Sequence, residues 1–197
     1  MIQALMRTTH PALAGIISLK KHWAGQVALV LMGSLFVALL AQISIPLPFT
    51  PVPVTGQTLA VLVVGGALGS QLGALSLLLY LAEGAIGFPV FAGHVGGLPV
   101  GPTGGYLIGF VVMAAVVGRL AERGWDRSLG WSILAMVIGE LVLYAIAVPW
   151  LGFYVGFNRA IPLGFLPFIA GDGLKLLIAG GLFPAAWKLV GSRPSAD

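Results

Sequence analysis

The sequence predicts an all-α integral membrane protein, a compact bundle of six transmembrane helices with both termini on the cytoplasmic side. Three observations carry that reading. Hydrophobic residues make up 58% of the 197, and charged residues only 8%, where soluble chains carry about 25% charge. The mean hydropathy is +1.03, and 10 basic and 6 acidic side chains cannot cover a water-facing surface on such a chain. The charges are also unevenly placed: between His22 and Gly118 the only one is Glu83. Runs such as VALVLMGSLFVALLAQ and LGALSLLLYLA are continuously apolar, whereas barrel strands alternate, so the spans are helices. The 29 glycines follow no collagen period, and disorder requires low hydrophobicity.

Residues 1–23 read as a cytoplasmic, partly amphipathic lead-in, because they lack the ordered charged, apolar and small-residue regions of a signal peptide. The membrane domain covers 24–190, with spans at 24–45, 57–68, 71–83, 104–118, 129–150 and 168–188, and 191–197 form a cytoplasmic tail. The count rests on charge parity. Short loops rich in Lys and Arg stay cytoplasmic. That rule puts Lys20 and Lys21, the cluster Arg119, Glu122, Arg123, Asp126 and Arg127, and the C-terminal charges on one side. An even number of spans must then lie between Lys21 and Arg119. Splitting 57–83 at its glycine-rich centre, GGALGSQLG, satisfies this. Both halves are shorter than the ~20 residues of a full span, so their ends must tuck against protein. On the first helix Ala24 and Ala28, and Ser34 and Ala38, are four apart, a spacing at which small residues let helices dock.

Parity places three elaborate segments outside: 46–56, 84–103 and 151–167. The first carries Pro46, Pro48, Pro51 and Pro53, which forbid regular helix and hold the chain extended. With Phe49, Val52 and Val54 it suits an apolar lid, and Thr50 offers it a hydroxyl contact. The second, GAIGFPVFAGHVGGLPVGPT, can bring backbone close to a small ligand, and Phe88 and Phe91 supply flat apolar surface. The third is read as an aromatic loop bearing Asn158 and Arg159. The opposite side has only a tight turn and one short charged loop. Such asymmetry predicts a binding site open to the outside.

Charges within spans mark function. Asp172 and Lys175 are three apart on the last helix and share a face, offering a carboxylate acceptor and an ammonium donor. Glu140 and Tyr144, four apart on the fifth helix, face inward, where Glu140 meets Lys175 or a bound solute. Gln57 opens the second helix and contributes an amide, while the Thr55 hydroxyl caps it. Glu83 lies at the outer end of the third helix, as an interfacial carboxylate or a ligand contact. Enzyme signatures are lacking: no phosphate-binding loop, no His pair at metal spacing, no nucleophile elbow. The basic residues fall in small groups, not in a nucleic-acid patch, and the lipid bilayer is the expected surrounding. With no Cys, disulfides are excluded.

Four segments in order, PFTPVPVTGQTLAVL, LGALSLLLYLAEGAIGFPVFAG, GPTGGYLIGF and GDGLKLLIA, make the chain resemble the biotin-specific substrate-binding (S) component of energy-coupling factor transporters, the BioY family. The resemblance covers about residues 24–188. It implies a six-helix bundle in the plasma membrane that captures biotin from outside with high affinity. Its partners would be a transmembrane energy-coupling subunit and two ATP-binding-cassette ATPases, with no cofactor, no metal and no catalysis by the chain itself. By the same resemblance the loop from Pro46 to Gln57 closes the pocket, and Asp172 and Lys175 match the family's carboxylate and lysine. Ala24 and Ala28, or Ser34 and Ala38, contact the transmembrane partner. Tyr80 and Glu83 both remain candidates for the family's third-helix ligand contact. A ureido ring, with two N–H donors and a carbonyl, suits Asp172 with Gln57 or Lys175. The apolar walls fall to Phe49, Phe88, Phe91 and Tyr144, beside the lid prolines Pro51 and Pro53. The anionic tail falls to the glycine loop and Arg159. The competing expectation is a self-contained, gradient-driven carrier using Glu140 or Asp172 as its proton site.

Overall fold

The computed structural model describes residues 22–191; the expected lead-in and tail lie outside them except at their inner edges. In chain order the described elements are α1 (Trp23–Ala41), β1 (Ser44–Ile45), β2 (Val54–Thr55), α2 (Gln57–Leu68), α3 (Ser70–Ala85), α4 (Gly104–Ala121), α5 (Leu129–Val155), α6 (Phe157–Gly164) and α7 (Ile169–Gly191). Four stretches are long and apolar enough to cross a bilayer unaided: Trp23–Ala41, Gly104–Ala121, Leu129–Val155 and Phe157–Leu189, the last taking in α6 and α7. Helices α2 and α3, with 12 and 16 residues, reach only about 18 and 24 Å, short of the ~30 Å hydrocarbon core.

Helix α2 survives that shortness because it is central. It packs on α1, α3, α4 and α7, and Val61, Leu62 and Val64 are buried with Leu77, Met113, Val117, Met136, Leu143 and Phe183 in one core. The outward side of α1 instead shows Leu31, Met32, Leu35 and Leu39, each more than half exposed. Water would not tolerate such a stripe, whereas lipid tails do. Lipid supplies no hydrophobic drive between helices, so close approach must hold them together. Where α1 crosses α3, a Cβ on Gly33 would come within 2.4 Å of the Ser76 hydroxyl.

The break between α2 and α3 is a single residue, Gly69, at φ 84°, a left-handed conformation that glycine adopts without strain. This turn nests on the end of α4, where a Cβ on Gly118 would fall 2.4 Å from the Ser70 nitrogen. The Glu122 carboxylate then accepts the Ser70 N–H at 2.9 Å, satisfying one of the orphan amides that open α3.

Two expected boundaries move. The first helix ends at Ala41, not at 45, because Pro46 bars the residue before it from helical geometry. Ser44 and Ile45 instead pair antiparallel with Thr55 and Val54. The ladder stops after two pairs because Pro46 and Pro53, next inward, have no N–H to donate. The segment 151–167 is not a loop: α5 continues to Val155, and α6 follows after Gly156 at φ 86°. Residues 151–155 contain no proline, and the helix runs through Gly152 to stop only where Gly156 turns the chain.

Candidate functional site

The two ends of the bundle differ. At one end lie the α2–α3 turn, Glu122 and the 125–127 turn, where the Trp187 indole N–H donates to Asp126 at 2.6 Å and Arg127 stacks over the Trp187 ring. At the other end the proline segment and residues 91–103 border a cavity of about 710 Å³. That volume falls within the ~300–1,000 Å³ of small-molecule sites.

The cavity's polar centre joins α2, α5 and α7. Lys175 Nζ donates to Asp172 Oδ1 at 2.9 Å and to Thr58 Oγ1 at 2.8 Å. The Thr58 hydroxyl donates onward to Asp172 Oδ1 at 3.3 Å, and the Tyr144 hydroxyl donates to Asp172 Oδ2. Asp172 and Lys175 have side chains only 7% and 14% exposed. Two charges this deep would cost several kcal/mol each if unpaired; here each compensates the other, and two hydroxyls share the remaining demand. Tyr106, Phe110 and Phe168 wall the cavity alongside, with the Tyr106 and Tyr144 rings edge to face.

A second relay ties the cavity to its covering loops. The Thr55 hydroxyl accepts the Gln57 amide N–H at 3.2 Å, as expected of a cap for the first turn of α2, and donates to Gln57 Oε1 at 3.0 Å. Gln57 Nε2 donates to the Tyr80 hydroxyl at 2.7 Å, and Tyr80 donates to the Val90 carbonyl at 3.1 Å. From the end of α1, Gln42 Nε2 donates to Val90 and Phe91 carbonyls at 3.1 and 3.4 Å, and its Oε1 accepts the His94 N–H at 3.2 Å. The 86–103 segment is held at its far side as well, by the Trp150 indole N–H on the Gly101 carbonyl at 3.0 Å and by Tyr154 on Val100. The proline segment has a slighter hold. Its Thr50 hydroxyl donates to the Leu163 carbonyl at 2.8 Å.

Of the residues singled out from sequence, Thr50, Pro51, Pro53, Gln57, Phe91, Tyr144, Asp172 and Lys175 line one cavity. Others do not reach it. Tyr80 stands behind Gln57, and Glu83 accepts the Ser34 hydroxyl at 2.6 Å, away from the wall. Glu140 is buried behind the ion pair, and among the described residues neither carboxyl oxygen has a hydrogen-bond partner. Phe49, in the turn at 48–49, and Phe88, just past the end of α3, are 58% and 56% exposed and off the cavity wall. Arg159 is exposed on α6, off the cavity wall. On α1, Ala24 is exposed and Ala28 half-buried, but Ser34 and Ala38 are enclosed in the bundle and have no outer face to offer. Sequence reasoning missed Thr58 as a member of the ion-pair cluster, Gln42 as the loop anchor and Tyr106 as a wall whose hydroxyl holds the Gly164 carbonyl at 2.6 Å. Gln42 carried a signal, as a lone amide at the end of an apolar run. Among the described residues, no group of three or more His, Cys, Asp or Glu is placed to hold a metal ion.

An apolar helical bundle that roofs a cavity of this size over one hydrogen-bonded ion pair is a membrane protein built to bind a small solute. The family model for the BioY family matches residues 8–192, and the chain belongs to that family. It is 45% identical over 161 residues to a probable biotin transporter BioY of Pyrococcus horikoshii, covering 79% of this chain and 92% of that one. With the biotin transporter BioY of Thermotoga maritima it shares 42% over 156 residues, covering 76% and 90%. The fold is similar to a crystal structure of the S-component for biotin from an ECF-type ABC transporter, with a TM-score of 0.74 and 27% identity over 83% of this chain and 90% of that one.

Proposed function

We propose that this chain captures biotin and serves its uptake as the substrate-binding S component of an energy-coupling factor transporter. One observation carries the reading: the Asp172–Lys175–Thr58 cluster sits in an apolar cavity of about 710 Å³, in a fold that aligns with 90% of a solved biotin S-component. Asp172 accepts a ureido N–H, Lys175 donates to the ureido carbonyl, and the aromatic walls take the sulfur ring and aliphatic tail. Fully paired in a dry pocket, such groups allow nanomolar binding, about −12 kcal/mol.

In this reading both termini and the 119–127 loop face the cytoplasm, α2 and α3 count as two of six spans, and the cavity opens outside the plasma membrane. The chain itself catalyses nothing. ATP is hydrolysed by two partner ATPases, joined through a transmembrane subunit that docks on α1 beside Ala24 and Ala28. The test is mass spectrometry of small molecules released from the purified chain. Biotin in near-stoichiometric amount is the expected result, and its absence from protein purified with biotin present would refute the reading.

Glu140 favours one rival. A buried carboxyl without hydrogen-bond partners among the described residues is what a proton-coupled, self-contained carrier needs. Uptake in cells lacking every energy-coupling module separates the two: accumulation there, lost in Glu140→Gln, marks the carrier.

A further inference from the structure

The ion pair in the cavity has a countable hydrogen-bonding capacity. A carboxylate offers roughly four acceptor positions. Asp172 Oδ1 takes Lys175 Nζ at 2.9 Å and the Thr58 hydroxyl at 3.3 Å, and Oδ2 takes the Tyr144 hydroxyl. One position, on Oδ2, is left. An ammonium has three donors. Lys175 gives one to Asp172 and one to Thr58 at 2.8 Å, and the third is left. Both residues line the cavity.

We infer that Thr58 and Tyr144 are specificity-determining residues: by filling every other position of the ion pair, they leave it one acceptor and one donor, a match for the N–H and C=O edge of a cyclic urea and a mismatch for a cyclic guanidinium. The inference rests on the biotin reading above. A urea ring carries N–H and C=O side by side, so its donor meets Asp172 and its acceptor meets Lys175. Replacing C=O by C=NH gives a group that is cationic at neutral pH and presents N–H in both places. One of those would face the Lys175 N–H, donor against donor and charge against like charge, while the Glu140 carboxyl lies behind the pair and off the cavity wall. Thr58 suits its role because a hydroxyl can accept from Lys175 while donating to Asp172. Tyr144 suits its own because its hydroxyl takes one position of Oδ2 and its ring packs edge to face on Phe165 and Tyr106.

The experiment is calorimetric titration of the purified full chain with biotin, desthiobiotin, which keeps the urea, and 2-iminobiotin, which carries the guanidine. In the wild type desthiobiotin should bind about 10- to 200-fold more weakly than biotin, from lost apolar contact, and 2-iminobiotin about 10⁴-fold or more weakly, from the donor mismatch. Tyr144→Phe frees a second acceptor position on Oδ2 and should shrink the biotin to 2-iminobiotin ratio by at least about tenfold. Thr58→Val frees a position on Oδ1 but also a Lys175 donor, so it should shrink the ratio less than Tyr144→Phe does, while Thr58→Ser keeps the wild-type ratio. Because the ratio compares two ligands on one protein, a general loss of stability does not move it. If Thr58→Val fails to fold, Tyr144→Phe decides alone. A wild type that binds biotin yet holds 2-iminobiotin as tightly as desthiobiotin overturns the inference, as does a ratio unchanged in both Tyr144→Phe and Thr58→Val. A wild type that binds none of the three refutes the biotin reading, and this inference falls with it.

Discussion

Asp172→Asn keeps the shape of the side chain and removes its charge, and two effects of different size follow. Lys175, with its side chain 14% exposed, loses its counter-ion and keeps only neutral acceptors, the Thr58 hydroxyl and the new amide oxygen. Leaving one member of a buried pair alone costs about 3–5 kcal/mol of stability. Separately, the ligand loses a charge-assisted acceptor, worth about 1.5–3 kcal/mol, or about 10- to 150-fold in Kd. Lys175→Met strands Asp172 and should destabilise to a similar degree. The double variant Asp172→Asn with Lys175→Met leaves neither member of the pair stranded, so it should regain most of the stability while binding stays weak. Thermal unfolding and biotin titration in detergent read the two quantities on the same samples. Stability losses that simply add would show that the two side chains do not interact, and an unchanged Kd in all three variants would reduce the pair to scaffolding.

Other expectations concern the loops and the packing. Replacing Pro51 and Pro53 with glycine frees backbone in the proline segment and should speed biotin release by the equivalent of about 1–3 kcal/mol, seen by stopped flow; an unchanged off-rate would make the segment a mere connection. Gln42→Leu removes three hydrogen bonds to residues 90–94, and hydrogen exchange should accelerate there while the core stays protected. Gly118→Ala drives a Cβ into the Gly69–Ser70 backbone and should destabilise by about 1–3 kcal/mol or more, read by thermal unfolding. For topology, cysteines at Phe49, His94 and Arg123, all exposed, should react with an impermeant thiol reagent on intact cells at the first two only. Labelling confined to Arg123 would invert the proposed orientation.

What the sequence made legible followed from strong local constraints. Long apolar runs left no choice but membrane helices, the glycine-rich centre of 57–83 marked the α2–α3 break at Gly69, and the spacing of Asp172 and Lys175 put them on one face. What stayed hidden depends on contacts between distant segments. Thr58 reads as an ordinary second residue of a helix until α7 arrives 2.8 Å away, 117 positions later in the chain. Ser34 and Ala38 have the spacing of a docking face, but only the neighbours of α1 decide whether such a face looks outward or inward, and here it looks inward. Glu83 shows the same limit: as a lone carboxylate it looked available for a ligand, yet its partner is Ser34, 49 positions earlier.

The unequal lengths of the helices also bear on how the molecule sits among lipids. Helix α3, with 16 residues and Leu75 and Leu78 turned outward, presents a flank about 24 Å tall, while the 27 residues of α5, with Leu134 and Leu141 outward, present one of about 40 Å. A bilayer with a hydrocarbon core of ~30 Å is too thick for the first and too thin for the second. Mismatch costs fractions of a kcal/mol per ångström, so lipid should thin beside α3 and the long helix should lean. The resting attitude of the bundle is therefore a compromise that acyl-chain length resets, and membranes of different thickness should present the mouth of the cavity to the water at different angles.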